Sequence, residues 1–146
     1  MSIILFFHNI ISVNTKYHVK NHCKYLVKLH IVLCVKYRKP LLEKEIDEDI
    51  KQWLMDVCQQ NEVIIDMMES DKDHIHLLVD IPHTFRISDL IKALKQQTSW
   101  NVWKKYPHIL QQHFWKHRVF WSEGHFVCST GDVSTETILE YIRTQG

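Results

Sequence analysis

Apolar positions along this chain follow two rhythms, and the switches between them mark out the elements. From Lys24 to Val35 (KYLVKLHIVLCV) apolar and polar residues alternate and then the run becomes continuously apolar. That predicts a long strand, half-buried and then fully buried. Lys36-Tyr37-Arg38-Lys39-Pro40 ends it, with proline as the stop. From Leu41 to Asn61 the spacing changes to three and four, through Ile46, Ile50, Trp53, Leu54 and Val57, with acids between them. This is the signature of an amphipathic helix. Glu62 to Glu69 (EVIIDMME) reads as a second strand, Ser70 to Asp73 as a turn, and His74 to Ile81 (HIHLLVDI) as a third strand closing a hairpin. Phe85 to Lys105 is a second helix, with Ile87, Leu90, Ile91, Leu94 and Thr98 on one face and Pro107 just beyond its end. Arg118 to Cys128 is expected to form a fourth strand, or a hairpin bent at Glu123-Gly124. A last helix runs from Ser134 to Thr144, capped by Asp132 or Ser134.

The first five elements, taken as a strand, a helix, a hairpin, a helix and a strand, give βαββαβ. That order predicts an α+β fold of the ferredoxin-like or RRM-like type: an antiparallel sheet with helices on one face, here with an added C-terminal helix. The open face of such a sheet is available for nucleic acid.

Composition narrows this little and charge more. The chain has 146 residues, 45% of them hydrophobic and 24% charged, which suits one soluble domain with a real core. The four cysteines form no C-x-x-C pair, so a cysteine zinc site is unsupported and a reduced, cytoplasmic protein is expected. The apolar stretch from Ser2 to Ser12 is too short to span a bilayer and lacks the marks of a secretory signal. Residues 1–16 are therefore taken as an N-terminal arm and 17–146 as a single domain. The net charge is +1, but its distribution is uneven. Residues 1–42 carry seven Lys or Arg and no acid, 43–80 carry twelve acids against three bases, and 86–118 carry seven bases and one acid. Two basic blocks that converged in space would form a phosphate-binding surface. Taken alone, they read equally well as solvated lysine faces.

Three constellations carry chemistry. His74 and His76, two apart on a strand, share a face and make a divalent-metal pair. With eleven histidines in the chain, the pair by itself reads as readily as two surface residues. Tyr141 and Gln145, four apart, stack on one helix face. So short a helix is marginal alone, and docking it on the histidine sheet would bring a phenol and an amide to a metal. Without that docking they are a packed tyrosine and a terminal glutamine. A phenol titrates near pH 10, so a cation that polarises a scissile phosphate would compensate for its poor nucleophilicity. Two imidazoles and an amide supply no anionic ligand, so Mg²⁺ binding is expected to be weak until a DNA phosphate adds charge, with Mn²⁺ a substitute. The third constellation is basic and aromatic. It joins Lys36, Arg38 and Lys39 after the first strand to Lys92, Lys95, Trp100, Trp103, Trp115 and Lys116, residue types that track phosphates and stack unpaired bases. At least one of the two helical tryptophans is expected simply to pack.

Four segments together resemble the single-tyrosine HUH transposases of small bacterial insertion sequences, and the related REP-associated tyrosine transposases. They are Leu29 to Leu42 (LHIVLCVKYRKPLL), Asp71 to Val79 (DKDHIHLLV), Phe120 to Val127 (FWSEGHFV) and Gly131 to Gln145. The resemblance spans about residues 17–145, with His125 standing where the family often has an aromatic. It implies that His74, His76 and Gln145 hold the metal and that Tyr141 forms a 5′-phosphotyrosine and frees a 3′-hydroxyl. It further implies recognition of single-stranded DNA hairpins at element ends and a homodimer in which the tyrosine helix can serve the partner's site. The alternative is a non-enzymatic single-strand nucleic-acid-binding module of RRM-like fold. A histidine-triad hydrolase would want a third histidine where Leu78 stands, and a double H-x-T/S phosphoesterase would need a second motif.

Overall fold

A computed structural model of the chain describes residues 16–129 and 135–144, with side chains described for 16–129 and 140–144. The elements run β1 (His18–Lys20), β2 (Cys23–Tyr25), β3 (Val27–Cys34), α1 (Lys44–Gln60), β4 (Ile64–Asp71), β5 (His74–Ile81), α2 (Ile87–Lys105), α3 (Pro107–His113), β6 (Phe126–Ser129) and α4 (Thr135–Thr144). The apolar arm at the N-terminus lies outside the described residues.

The main sheet has the order β4-β5-β3-β6, and every neighbouring pair is antiparallel. This is the expected interleaving of two split β-α-β units. Leu29, Ile31, Leu33 and Val35 of the first long strand and Ile75, Leu77, Val79 and Ile81 of the histidine strand point to one face. There they meet Ile46, Ile50, Leu54 and Val57 of α1 and Leu90, Ile91, Leu94 and Val102 of α2. The three-and-four spacing of the helices and the alternation of the strands thus bury one core between two layers.

The opposite face is not left open. At one end α4 packs on it, with Ile142 against Val32 and Cys34. At the other end the β1–β2 hairpin is tied to it. That hairpin was not expected from the sequence, and it divides the predicted long strand at Leu26. Its turn residues Asn21 and His22 both take positive φ, 50° and 65°, the pairing that two-residue hairpin turns need. His18 Nε2 lies 2.7 Å from Asp80 Oδ2. The Lys28 ammonium lies 2.5 Å from Asp66 and 3.2 Å from Asp80. Asp66 is the extra residue of a bulge in β4, because Ile65 pairs with Val79 while Met67 pairs with Leu78. The bulge re-aims its carboxylate.

Pro107 lies just beyond the second helix, as expected, one further element is added there, and one expectation is corrected. Pro107 begins a short helix, α3, where proline's missing N–H costs nothing. The fourth strand is only Phe126–Ser129. The segment before it makes one bridge, Val35 with Trp121, and a local bond from Val119 N to His117 O; side chains take up others of its carbonyls, Trp103 Nε1 donating to Val119 O and Lys95 to those of Ser122, Glu123 and Gly124. A backbone satisfied in this way has no need of a neighbouring strand. No helix among the described residues is long and apolar enough to cross a membrane.

The side chains of Lys28, Asp66 and Asp80 are 9%, 10% and 5% exposed. Removing the cation strands two buried carboxylates. Lys28→Ala is expected to lower unfolding free energy by about 3–5 kcal/mol, read from urea titrations. A loss below about 1 kcal/mol would show that the cluster is solvated and not structural.

Candidate functional site

His74 and His76 open β5 immediately after the Lys72-Asp73 turn, and the register places them opposite Cys34 and Val32 of β3. Both lie on the sheet face away from α1 and α2. Their rings sit edge-on, with centroids 5.0 Å apart. His76 is 2% exposed. Burial first, and then the neighbouring His74 and His30, push its pKa down to about 2, so it is a neutral imidazole. His30, also pushed down by burial, to about 4, places Nε2 3.3 Å from His76 Nδ1. A His76 that keeps its proton on Nδ1 and donates it to His30 presents Nε2 to a ligand.

His74 is fixed from its other side. Its Nδ1 lies 2.7 Å from Asp73 Oδ1, and Arg38 Nε donates to Asp73 Oδ2 at 3.1 Å. Burial alone would raise the Asp73 carboxyl, but the hydrogen bonds from His74 and Arg38 hold it below the usual carboxylate range. An ionised carboxylate only accepts, so Nδ1 carries a proton and Nε2 is the ring nitrogen turned away from Asp73, the one that a metal would use. Each histidine therefore has its second nitrogen engaged, the arrangement that orients metal-bound imidazoles. The donor set fits a divalent cation but is incomplete, since no group of three or more His, Cys, Asp or Glu that could hold a metal occurs among the described residues. Gln145, the third ligand implied by the sequence, lies outside them.

Tyr141 reaches the same face. With Ile142 and Phe126 it packs against Val32 and Cys34, the two positions paired with His76 and His74. Its ring is 5.6 Å from that of Phe126. The hydroxyl is buried without a hydrogen-bond partner among the described residues. Burial first, and then the nearby Cys34, push its pKa up to about 12. The chain's own sheet thus receives its own terminal helix.

The cations divide into two groups. Arg38, Lys72 and Arg143 line, with His74 and Ile142, an open cleft of about 610 Å³ beside the histidines. Lys36 and Lys39 lie half-buried in the turn next to it. Lys92 and Lys95 are not brought there, because α2 packs on the other face. Lys92 is exposed. Lys95 spends its ammonium on the carbonyls of Ser122, Glu123 and Gly124, at 2.8, 2.9 and 2.7 Å, and burial lowers its pKa. The sequence reading gave no role to His30, Asp73, Lys72 or Arg143. The even-numbered alternation His30, Val32, Cys34 carried a signal for the first, but only the register turns it into a contact.

Comparison with known proteins agrees with this architecture. The family profile described as "Transposase IS200 like" matches residues 23–145. ISDra2 transposase TnpA of Deinococcus radiodurans is 30% identical over 121 residues, 83% of this chain and 85% of the relative. The crystal structure of a candidate transposase from Deinococcus radiodurans superposes with a TM-score of 0.79 at 26% identity, over 88% of this chain and 96% of that one. A REP-associated tyrosine transposase, solved bound to a REP hairpin, shares the fold at a TM-score of 0.52 and 12% identity, over 85% of this chain and 68% of that one. The chain belongs to the IS200-like transposase family, enzymes of DNA transposition that cut and transfer DNA.

Proposed function

We propose that this chain cleaves and rejoins single-stranded DNA at insertion-sequence ends through a covalent 5′-phosphotyrosine on Tyr141. The observation that carries the reading is the docking of Tyr141 over the two β3 positions that pair with His74 and His76. One sheet face thereby holds a nucleophile and two oriented imidazoles. Mg²⁺ or Mn²⁺ would be held by His74, His76 and Gln145, polarising the scissile phosphate and neutralising charge in the transition state.

The residues divide the work. Asp73 and His30 fix the two imidazoles. Arg38, Lys72 and Arg143 line the cleft together with Asp71 and Asp73, paired with Asp73, Glu43 and Glu140, and a phosphodiester backbone lying there would compete with those carboxylates for the cations. The Tyr141 oxygen attacks phosphorus, the bond from phosphorus to the 3′ oxygen breaks, and the phenolic proton is lost as the 3′ oxygen gains one. The strand is left with a 5′-phosphotyrosine and a 3′-hydroxyl. Reversal by another 3′-hydroxyl rejoins DNA without ATP, because bond energy is conserved in the phosphotyrosine. A phenol with a pKa near 12 is ionised in only about one molecule in 10⁵ at pH 7. The buried tyrosine is thus inert until substrate and cation reach it. Hairpins of single-stranded DNA at the element ends are the proposed substrate and a homodimer the proposed working form. The hairpin-bound relative of the same fold supports the former.

Tyr141→Phe is expected to abolish the covalent protein–DNA adduct on end-labelled single-stranded element ends while leaving hairpin affinity within about twofold, as removal of one hydroxyl that binds no DNA should. Adduct formation by the variant would sink the mechanism. Asp73→Ala, which frees the His74 ring, is expected to weaken Mn²⁺ binding in the DNA complex by about 10- to 100-fold, measured by calorimetry in the Tyr141→Phe background. Unchanged affinity would remove Asp73 from the site.

A further inference from the structure

Beside the cleft, on the far side of the Lys36–Arg38 turn, lies a second surface. Tyr37 takes φ 57° and ψ 20°, and Arg38 follows at φ 51°. Two successive non-glycine residues in the left-handed region carry strain that a turn with free choice of residues would avoid. The result is a Tyr37 ring that is 63% exposed and backed by Phe114, with centroids 6.4 Å apart. Across a shallow hollow of about 110 Å³ stand His113, Trp115, Lys116 and His117. Trp115 is 77% exposed. Each exposed ring has a cation against it: Lys36 Nζ lies 5.3 Å from the Tyr37 centroid, and Lys116 Nζ 5.1 Å from that of Trp115. One acid, Glu123, approaches, 3.9 Å from Lys36 and itself 95% exposed.

We infer that Tyr37 and Trp115 form a stacking platform for unpaired bases of the single strand that flanks the cleavage point. Large aromatics in water cost free energy unless something covers them. Here an ammonium lies over each ring, so a covering group that draws it aside with negative charge and offers a flat π-face in its place fits both. A nucleotide does both, with base on ring and phosphate on ammonium. The platform is continuous with the cleft, since Arg38 next to Tyr37 bonds Asp73, and Asp73 bonds His74. A strand leaving the histidines along Arg38 meets Tyr37 and then Trp115. The inference rests on the DNA-cleaving reading for its substrate, but it concerns binding and not the reaction.

The test uses the full chain carrying Tyr141→Phe, so that binding is read without cleavage. The probe is an oligodeoxythymidylate, compared with a deoxyribose-phosphate strand of equal length that lacks bases. Tyr37→Ala and Trp115→Ala are each expected to weaken oligodeoxythymidylate binding by roughly five- to a hundredfold. Trp115→Phe, which keeps a stacking face, should bind like the parent while losing part of the tryptophan quenching. The parent should bind the baseless strand more weakly, and the alanine variants should lose little more on it. This second comparison needs no variant and holds even if one of them folds poorly. Equal binding of both strands by the parent, or unchanged affinity in well-folded alanine variants, overturns the platform. So does a changed sedimentation coefficient with unchanged DNA affinity, which would assign the patch to contact between copies of the chain. Loss of Tyr141-dependent chemistry alone would leave the platform standing.

Discussion

The antiparallel register between β3 and β5 is the constraint on which the rest depends. It runs from Val27 opposite Ile81 to Cys34 opposite His74, and both strands are covered on their two faces. A slip of one residue in either strand would turn every side chain over. His74 and His76 would then point into the helix-packed core, and Ile75 and Leu77 into the cleft. The helices hold the register from one side, because Leu29, Ile31 and Leu33 must meet α1 and α2 together with Ile75, Leu77 and Val79. The continuous apolar character of both strands follows from this double burial, and it is why their alternation is so faint.

The second face is divided. One end carries the histidines, Cys34 and α4, and the other the Lys28, Asp66 and Asp80 cluster with His18 upon it. His30, at the middle, belongs to both by position and to the histidines by contact. The division explains why a hairpin precedes the sheet at all. Buried carboxylates on an uncovered face would demand water, and β1–β2 covers them instead while adding a partner for Asp80.

Burial gives the histidines and the tyrosine opposite starting points. Desolvation keeps His30 and His76 neutral, so that His30 can accept the His76 Nδ1 proton and orient the His76 ring. The same desolvation, with Cys34 alongside, keeps the Tyr141 proton in place. For the proposed chemistry, such a site is ready to bind before it is ready to react. Among the described residues, Val32, Cys34 and Ile142, with Phe126 and Tyr141 packed against them, seat α4 on the sheet face opposite the core under α1 and α2.

The chain by itself determined the elements whose pattern is local. These were the histidine strand, found at the bounds that the spacing predicts, both long helices, the α+β class, and His74 and His76 on one face. Each follows from periodicity, which depends only on neighbours in sequence. Residues that act across the sheet were not legible in this way. Asp73 and His30 gained their roles from the turn geometry and from the pairing of His30's strand with β5. Lys95 looked like a phosphate contact until the fold placed three carbonyls around it. The stretch from Arg118 to His125 has a strand's composition but not a strand's neighbours, so side chains took up several of its carbonyls. Tyr141 was readable as a helix-face phenol, but its place over the partners of His74 and His76 was decided by tertiary packing alone, because a register between distant segments is an agreement that neither segment encodes by itself.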